Sequence, residues 1–191
     1  MSVWQEAKQS VGGAVRVMRM DPNALQDFNL TIDGYWRSFY AAVYLAPIYI
    51  LFLLSVPVPQ DVSIGRFWLI EIINYPLNWA LWPLISYYIC RGAGLVDKYT
   101  TYITVYNWAQ IILSGLRMAL IIIAFALFPL AVTSNLIVLS LIVVLAAEAL
   151  IIRLTLDVSW PQALLIESLA FVIALLLGLV KQFVMMGGGP V

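Results

Sequence analysis

An arginine lies inside one of the most apolar parts of this chain. Arg117 follows Leu116 and precedes Met118 within residues 101–128, a run too apolar to face water. A charged side chain near the centre of a bilayer costs about 2.5 to 3.5 kcal/mol on insertion scales. The run therefore predicts a membrane-spanning helix whose charged side chain faces other helices and a carboxylate partner.

The polar residues of this run fall on one side of the predicted helix. At about 100° per residue, Asn107, Gln110, Ser114 and Arg117 lie within roughly a quarter turn of one another. The opposite side presents mainly Ile, Leu and Ala. We expect the polar side to face the interior of a helical bundle.

Composition places the whole chain in a membrane. Of its 191 residues 63% are hydrophobic and 10% are charged, against about 25% charged in soluble domains. The formal net charge is zero, which gives a nucleic-acid partner no electrostatic support. The chain has no histidine and one cysteine, so His-based metal sites, general bases and catalytic triads are excluded. We expect no enzymatic activity, no cofactor and no metal site.

Hydrophobic runs predict an all-α membrane protein built as a bundle of five transmembrane helices. Pro47 should kink the first, and Pro76 and Pro83 should interrupt the second. An uncharged linker is expected at 129–135, and Ser159 with Gln162 forms a capping box before the last span. The predicted spans are 38–56, 66–89, 99–128, 136–156 and 160–185.

The N-terminal segment has the pattern of an amphipathic interfacial helix in the headgroup plane, with a partly disordered tail as the alternative. Gly12 and Gly13 should weaken it by about 1 kcal/mol each. Asp21 and Pro22 begin a short second helix that ends near Asn29. The predicted domains are a cytoplasmic arm (1–37), the membrane domain (38–185) and a flexible tail (186–191). The apolar side of the arm contains Trp4, Ala7, Val11, Val15 and Met18, and its polar edge contains Lys8, Arg16 and Arg19.

Basic residues are distributed unequally between the two sides of the predicted bundle. Only Arg66 and Lys181 fall on the side of the C-terminus, and most of the others fall on the side of the N-terminus. Basic loops stay in the cytoplasm. We therefore expect a cytoplasmic N-terminus and a C-terminus outside.

Depth along the helices suggests a partner for the intramembrane arginine. With a rise of about 1.5 Å per residue, Arg117 and Glu71 lie in the same outer part of the membrane. Asn74 and Asn78 share the helical face of Glu71. An ion pair between Arg117 and Glu71 would fix the register of two helices, or would belong to a functional site.

Two further carboxyl groups form a second predicted polar layer. Glu148 and Glu167 lie at the depth of Asn107 and Gln110. Two close carboxylates in a dry medium do not both remain ionised, so the four residues form a candidate proton or cation site. In the alternative, each carboxyl group bonds a different polar group or faces an oligomer interface.

Short motifs add a family resemblance. The chain has W-R-S-F at 36–39, a proline within its first span, and Y-x-x-x-Y-N-W-A-Q at 102–110. Together with the five closely spaced spans, these motifs make about residues 30–185 resemble the Yip1 family in its bacterial form. The resemblance implies a multi-pass helical protein of the bacterial cytoplasmic (inner) membrane, without family catalytic residues to carry over.

Two functions follow as expectations. The first is a non-enzymatic scaffold or accessory subunit that associates with the lipid bilayer and with other membrane proteins or itself. The alternative is a small transporter or channel, in monomeric or homo-oligomeric form, with an intramembrane polar path. A continuous polar cavity that reaches both faces of the membrane would favour the second, and a dry, fully packed bundle with an apolar outer groove would favour the first.

Overall fold

The computed structural model describes residues 2–187, which form helices joined by short connections. Residues 188–191, most of the predicted flexible tail, lie outside the described part. The helices are α1 Val3–Met18, a 3-10 helix Ala24–Asp27, α2 Ile32–Ser38, α3 Tyr40–Ser55, α4 Ile64–Gly92, α5 Val96–Leu127, α6 Leu130–Leu156 and α7 Trp160–Met185.

Within residues 2–187, four helical segments are long and apolar enough to cross a membrane. They are Ile32–Ser55, which joins α2 to α3, and the helices α5, α6 and α7. The protein is therefore an all-helical, multi-pass membrane protein. α4 has 29 residues but falls outside this set of apolar helices, because Arg66, Glu71 and two asparagines lower its hydropathy.

The expected linker at 129–135 is wrong, because residues 130–135 are helical. Pro129 adopts an extended conformation at the N-cap, and α6 begins at Leu130. The Thr133 hydroxyl donates a hydrogen bond of 3.1 Å to the carbonyl of Ala124 in α5. Without charges, this segment can extend the apolar helix, so the turn between α5 and α6 is very short.

The expected interruptions of the second span are also absent, since α4 continues through both Pro76 and Pro83. Neighbouring tyrosines donate to carbonyls near the helix prolines. Tyr75 donates to the carbonyl of Ala42, in the turn of α3 before Pro47, at 2.6 Å. Tyr99 of α5 donates to the carbonyl of Pro83 at 2.9 Å. These two bonds link α4 to α3 and to α5.

The largest core surrounds the N-terminal half of α5. Tyr102, Ile103 and Trp108 of α5 are almost completely inaccessible to solvent, and Ile151 and Leu156 of α6 pack in the same cluster. α5 contacts α1, α2, α3, α4 and α6. It is therefore the central helix, and its two polar layers are placed where several helices meet.

The N-terminal helix is docked against this core by a different side from the predicted one. The buried residues are Glu6, Ala7, Ser10, Gly13, Ala14 and Val17. Of the predicted apolar side, only Ala7 is fully buried, whereas Trp4 is 56% exposed. Small residues carry little hydrophobicity, but they let two backbones approach closely. A Cβ atom on Gly13 would lie 2.7 Å from Cβ of Asp27, so this glycine is required for packing.

Ion pairs hold α1 against the segment that follows it, up to the end of α2. Arg37 Nη1 lies 3.2 Å from Oε2 of the buried Glu6, and Arg16 contacts Asp21 at 2.8 Å and Asp27 at 2.7 Å. The hydrogen bond from Arg16 lowers the pKa of the Asp21 carboxyl. Lys8 and Arg19, which were predicted on the polar edge of the arm, are exposed. Lys8 Nζ lies 4.9 Å from the centre of the Trp4 ring.

Candidate functional site

Glu71 has a different partner from the predicted one. Its Oε1 lies 3.0 Å from Nζ of Lys181, and its Oε2 accepts a hydrogen bond of 2.8 Å from Tyr49. The predicted ion pair between Glu71 and Arg117 is therefore wrong. Three helices, α3, α4 and α7, are joined through this one buried carboxylate.

Lys181 was not identified from the sequence as the partner of Glu71, because it was treated only as a basic residue at the C-terminal end of the bundle. α7 continues to Met185, so Lys181 lies one turn inside the helix. Glu71 lies about 10 Å from the first residue of α4, where the Arg66 guanidinium donates to the carbonyl of Val184. The equal height of Lys181 and Glu71 was the signal that could have identified the pair.

Arg117 is left without an ion-pair partner in the described part of the chain. No carboxylate there lies within 4.0 Å of its guanidinium nitrogens, and its Nε is buried without a hydrogen-bond partner. The nearest electrostatic influence from a carboxylate comes from Glu148. The Arg117 side chain instead borders two cavities between the helices, each of which is partly open to the outside of the protein.

The two cavities meet along α4 and α5. The first, of about 350 Å³, also borders α3 at Leu45 and Tyr49. The second, of about 460 Å³, also borders α7 from Ala170 to Lys181. The residues shared by both linings are Asn78, Trp82, Tyr106, Ser114 and Arg117. The predicted polar side of α5 therefore faces open space as well as other helices.

The walls of the second cavity differ in polarity. Asn74, Asn78, Ser114 and Arg117 provide polar groups from α4 and α5. The wall formed by α7 is mainly aliphatic and small, and Gly178 there has nothing within 4 Å of the position a Cβ would take. The space can accept a molecule that has both a polar and an apolar part.

The structure brings the two predicted inner carboxyl groups together. Gln110 Nε2 donates a hydrogen bond of 2.6 Å to Glu148 Oε1. Glu148 and Glu167 lie close enough for their charges to act on each other. Two carboxyl groups that interact in a medium of low dielectric constant do not both remain ionised.

A hydrogen-bond chain connects this carboxyl pair to the cavities. Ser114 Oγ donates to Gln110 Oε1 at 2.5 Å, and Gln110 in turn donates to Glu148. Ser114 lines both cavities. The fourth predicted member, Asn107, is not bonded to the pair but donates to Ser38 of α2 at 2.9 Å. Gln110 itself lines the first cavity, so Glu148 is one side chain away from cavity space.

The chemistry available is that of binding and proton exchange. Cations, amides and hydroxyls line the cavities, and a carboxyl pair adjoins them. Within residues 2–187, no group of three or more His, Cys, Asp or Glu side chains is arranged to hold a metal ion. The fold and the site define a multi-pass helical membrane protein with a polar site inside its bundle.

Comparisons of the chain with protein-family models, with curated proteins and with solved structures gave no match.

Proposed function

We propose that the protein is a small membrane transporter in which solute enters the cavities between α4, α5 and α7. The observation that carries this proposal is the position of Arg117. Its charged group lies inside the bundle, has no ion-pair partner within residues 2–187 and borders about 350 and 460 Å³ of open space. A charge kept at such cost in a membrane commonly marks a substrate or ion pathway.

In this proposal α4 is a fifth crossing of the membrane. Near one end Arg66 contacts the last turn of α7. Tyr75, in the middle of α4, contacts α3, and Pro83 contacts Tyr99 near the start of α5. α4 thus extends along its neighbours with one face of polar residues, which is suited to a helix that lines a cavity. Five crossings and the distribution of basic residues give a cytoplasmic N-terminus and an external C-terminus.

The carboxyl pair supplies a site for a transported or coupled proton. In this proposal Glu148 and Glu167 share one proton, and Gln110, which donates to Glu148 and lines the first cavity, holds Glu148 beside that cavity. Gain or loss of that proton changes the charge near Arg117, because Glu148 acts electrostatically on the guanidinium. Solute binding and proton binding would therefore influence each other.

The second candidate is a scaffold, for which the Yip1 resemblance implies a location in the bacterial cytoplasmic membrane but no activity. It is favoured by an exposed aromatic and aliphatic surface at the start of the apolar segment Ile32–Ser55, where Ile32 is 65% and Trp36 is 66% exposed. Such a surface suits contact with lipid or with another membrane protein.

The two functions differ in whether water reaches the cavity. Ser114 lines both cavities, while Leu116, two residues further along α5, is 67% exposed on the outer surface of the bundle. We would introduce Ser114→Cys or the matched control Leu116→Cys after replacing the buried Cys90 by Ala. Each protein would be reconstituted in vesicles and treated from either side with a membrane-impermeant methanethiosulfonate reagent.

A transporter predicts that the cysteine at position 114 reacts from both sides, at different rates, and that the cysteine at 116 stays unreactive in lipid. Equal lack of reaction at both positions would show a dry bundle and would contradict the transport proposal in favour of the scaffold. Asn78→Cys, on the opposite wall of the same cavities, should react like Ser114→Cys.

A further inference from the structure

We infer that the cavity between α4, α5 and α7 binds an anionic amphiphile, with the charged head at Arg117 and the apolar part along α7. This inference deepens the proposed function, since it names the class of molecule that the same cavities would take. It depends on the charges of the lining, the neighbouring hydrogen-bond donors and the polarity of the α7 wall.

The charges of the lining favour an anion. Arg117 and Lys181 both border this cavity. Lys181 is neutralised by Glu71, 3.0 Å away, which leaves the charge of Arg117 for a ligand. Glu148 weakens but does not cancel this charge, because it is not within ion-pair distance and is engaged by Gln110. A guanidinium presents several donors in a planar fork that matches carboxylate and phosphate oxygens.

Neutral hydrogen-bond donors lie beside Arg117, where the charged head of the ligand would bind. The amide of Asn78 borders the same space as Arg117, and the amide of Asn74 borders the same cavity. The single hydroxyl proton of Ser114 is already donated to Gln110. A phosphate or carboxylate head could therefore receive hydrogen bonds from the two asparagines of α4 together with the guanidinium of α5, whereas a cation would meet a positive charge.

The apolar wall favours a ligand with a hydrocarbon part. On α7 the lining consists of Ala170, Ile173, Ala174, Leu177 and Gly178 before Lys181 is reached. The space opposite Gly178 is empty within 4 Å. A bare inorganic anion would leave this wall in contact with water, while an acyl chain would cover it.

Binding is tested on the full chain in mild detergent by native mass spectrometry. The probes are dioleoylphosphatidylglycerol, which has an anionic head, dioleoylphosphatidylcholine, whose head has no net charge, and inorganic phosphate as a competitor. The variants are Arg117→Ala, its control Arg91→Ala and Gly178→Leu. Arg91 is exposed at the end of α4 and borders neither cavity.

The expected result is that the anionic lipid binds more tightly than the neutral lipid, and that Arg117→Ala weakens its binding about tenfold or more. Arg91→Ala should bind like wild type. Gly178→Leu, which fills the apolar part without touching the head site, should also weaken lipid binding. If Arg117→Ala does not fold, Arg117→Gln removes the charge while keeping donors, and the same loss is expected.

Equal affinity for the two lipids, or equal binding by the variants at 117 and 91, would overturn the inference. Displacement of the lipid by inorganic phosphate, together with unchanged lipid binding in Gly178→Leu, would overturn the amphiphile and indicate a free anion. Binding is measured without transport. A chain that binds the anionic lipid but stays closed to the cysteine reagent would therefore contradict the proposed function and leave this inference intact.

Discussion

The buried ion pair between Glu71 and Lys181 can be tested by a double-mutant cycle. At 3.0 Å and an effective dielectric constant of about 20, the attraction between the two charges is about 5 to 6 kcal/mol before desolvation is subtracted. The carboxylate side chain is 5% exposed and the lysine side chain 34% exposed, so solvent screens part of that attraction. The net coupling should be about 2 kcal/mol.

The two single variants should differ in cost. Lys181→Met leaves a buried carboxylate with only Tyr49 as a donor, and should lower the free energy of unfolding by about 2 to 3 kcal/mol. Glu71→Gln still accepts from Tyr49 and leaves a lysine that can extend toward water, so it should cost about 1 kcal/mol. The double variant should cost about 1 kcal/mol, because no uncompensated buried charge remains.

Unfolding by sodium dodecyl sulfate in mixed micelles, followed by circular dichroism, gives these free energies. Lys98→Met is the matched control, since Lys98 pairs with Asp157, whose side chain is 89% exposed, at 3.3 Å. It should cost less than about 1 kcal/mol. Additive effects of the two variants at 71 and 181, with no rescue in the double variant, would refute the pairing.

Further predictions concern the arm and the turn after α5. Gly13→Ala should lower the thermal unfolding temperature, because its Cβ would lie 2.7 Å from another side chain, whereas Gly12→Ala, with nothing within 4 Å, should leave it unchanged or raise it. The pKa of Asp21 is lowered on folding, so its stabilisation of the arm is present above the ordinary aspartate pKa and is lost as pH falls through the folded pKa. Between about pH 6 and pH 3, the unfolding temperature should therefore fall further for the wild type than for Asp21→Asn. An equal fall in both proteins would contradict this. Thr133→Val should lower the free energy of unfolding by about 1 kcal/mol in the same micelle titration, since it removes the bond to α5.

Helices in the apolar part could be predicted from the sequence because their signals are local. The capping box at Ser159 and Gln162 marks the start of α7 at Trp160, and the structure contains that box. The helix before it was predicted to begin too late, since an uncharged segment after Pro129 carries no signal for a break. α2, capped by the Thr31 side chain, was not predicted because aromatic residues at a membrane entry do not specify a separate short helix.

The polar contacts were harder to predict because they depend on the rotation and tilt of whole helices. Depth estimates placed Glu148, Glu167 and Gln110 at one level, and the structure brings them together. The same estimate assigned Glu71 to the wrong cation, since α7 places Lys181 at the same height. The packing of the arm was not predicted because its contact face contains Gly13 and Ala14. A pattern of hydrophobic residues does not show where small residues allow helices to pack closely.

The proposed cavity requires α5 to have one hydrated side and one lipid-facing side at the depth of Arg117. Nitroxide labels at Ser114 and Arg117 would face the cavities, and labels at Leu116 and Leu120 would face outward. Electron paramagnetic resonance in vesicles compares collisions with a water-soluble nickel complex and with oxygen, which concentrates in lipid. We predict higher nickel accessibility at 114 and 117 and higher oxygen accessibility at 116 and 120. Oxygen accessibility that is equally high at all four positions would contradict a polar cavity within the bundle.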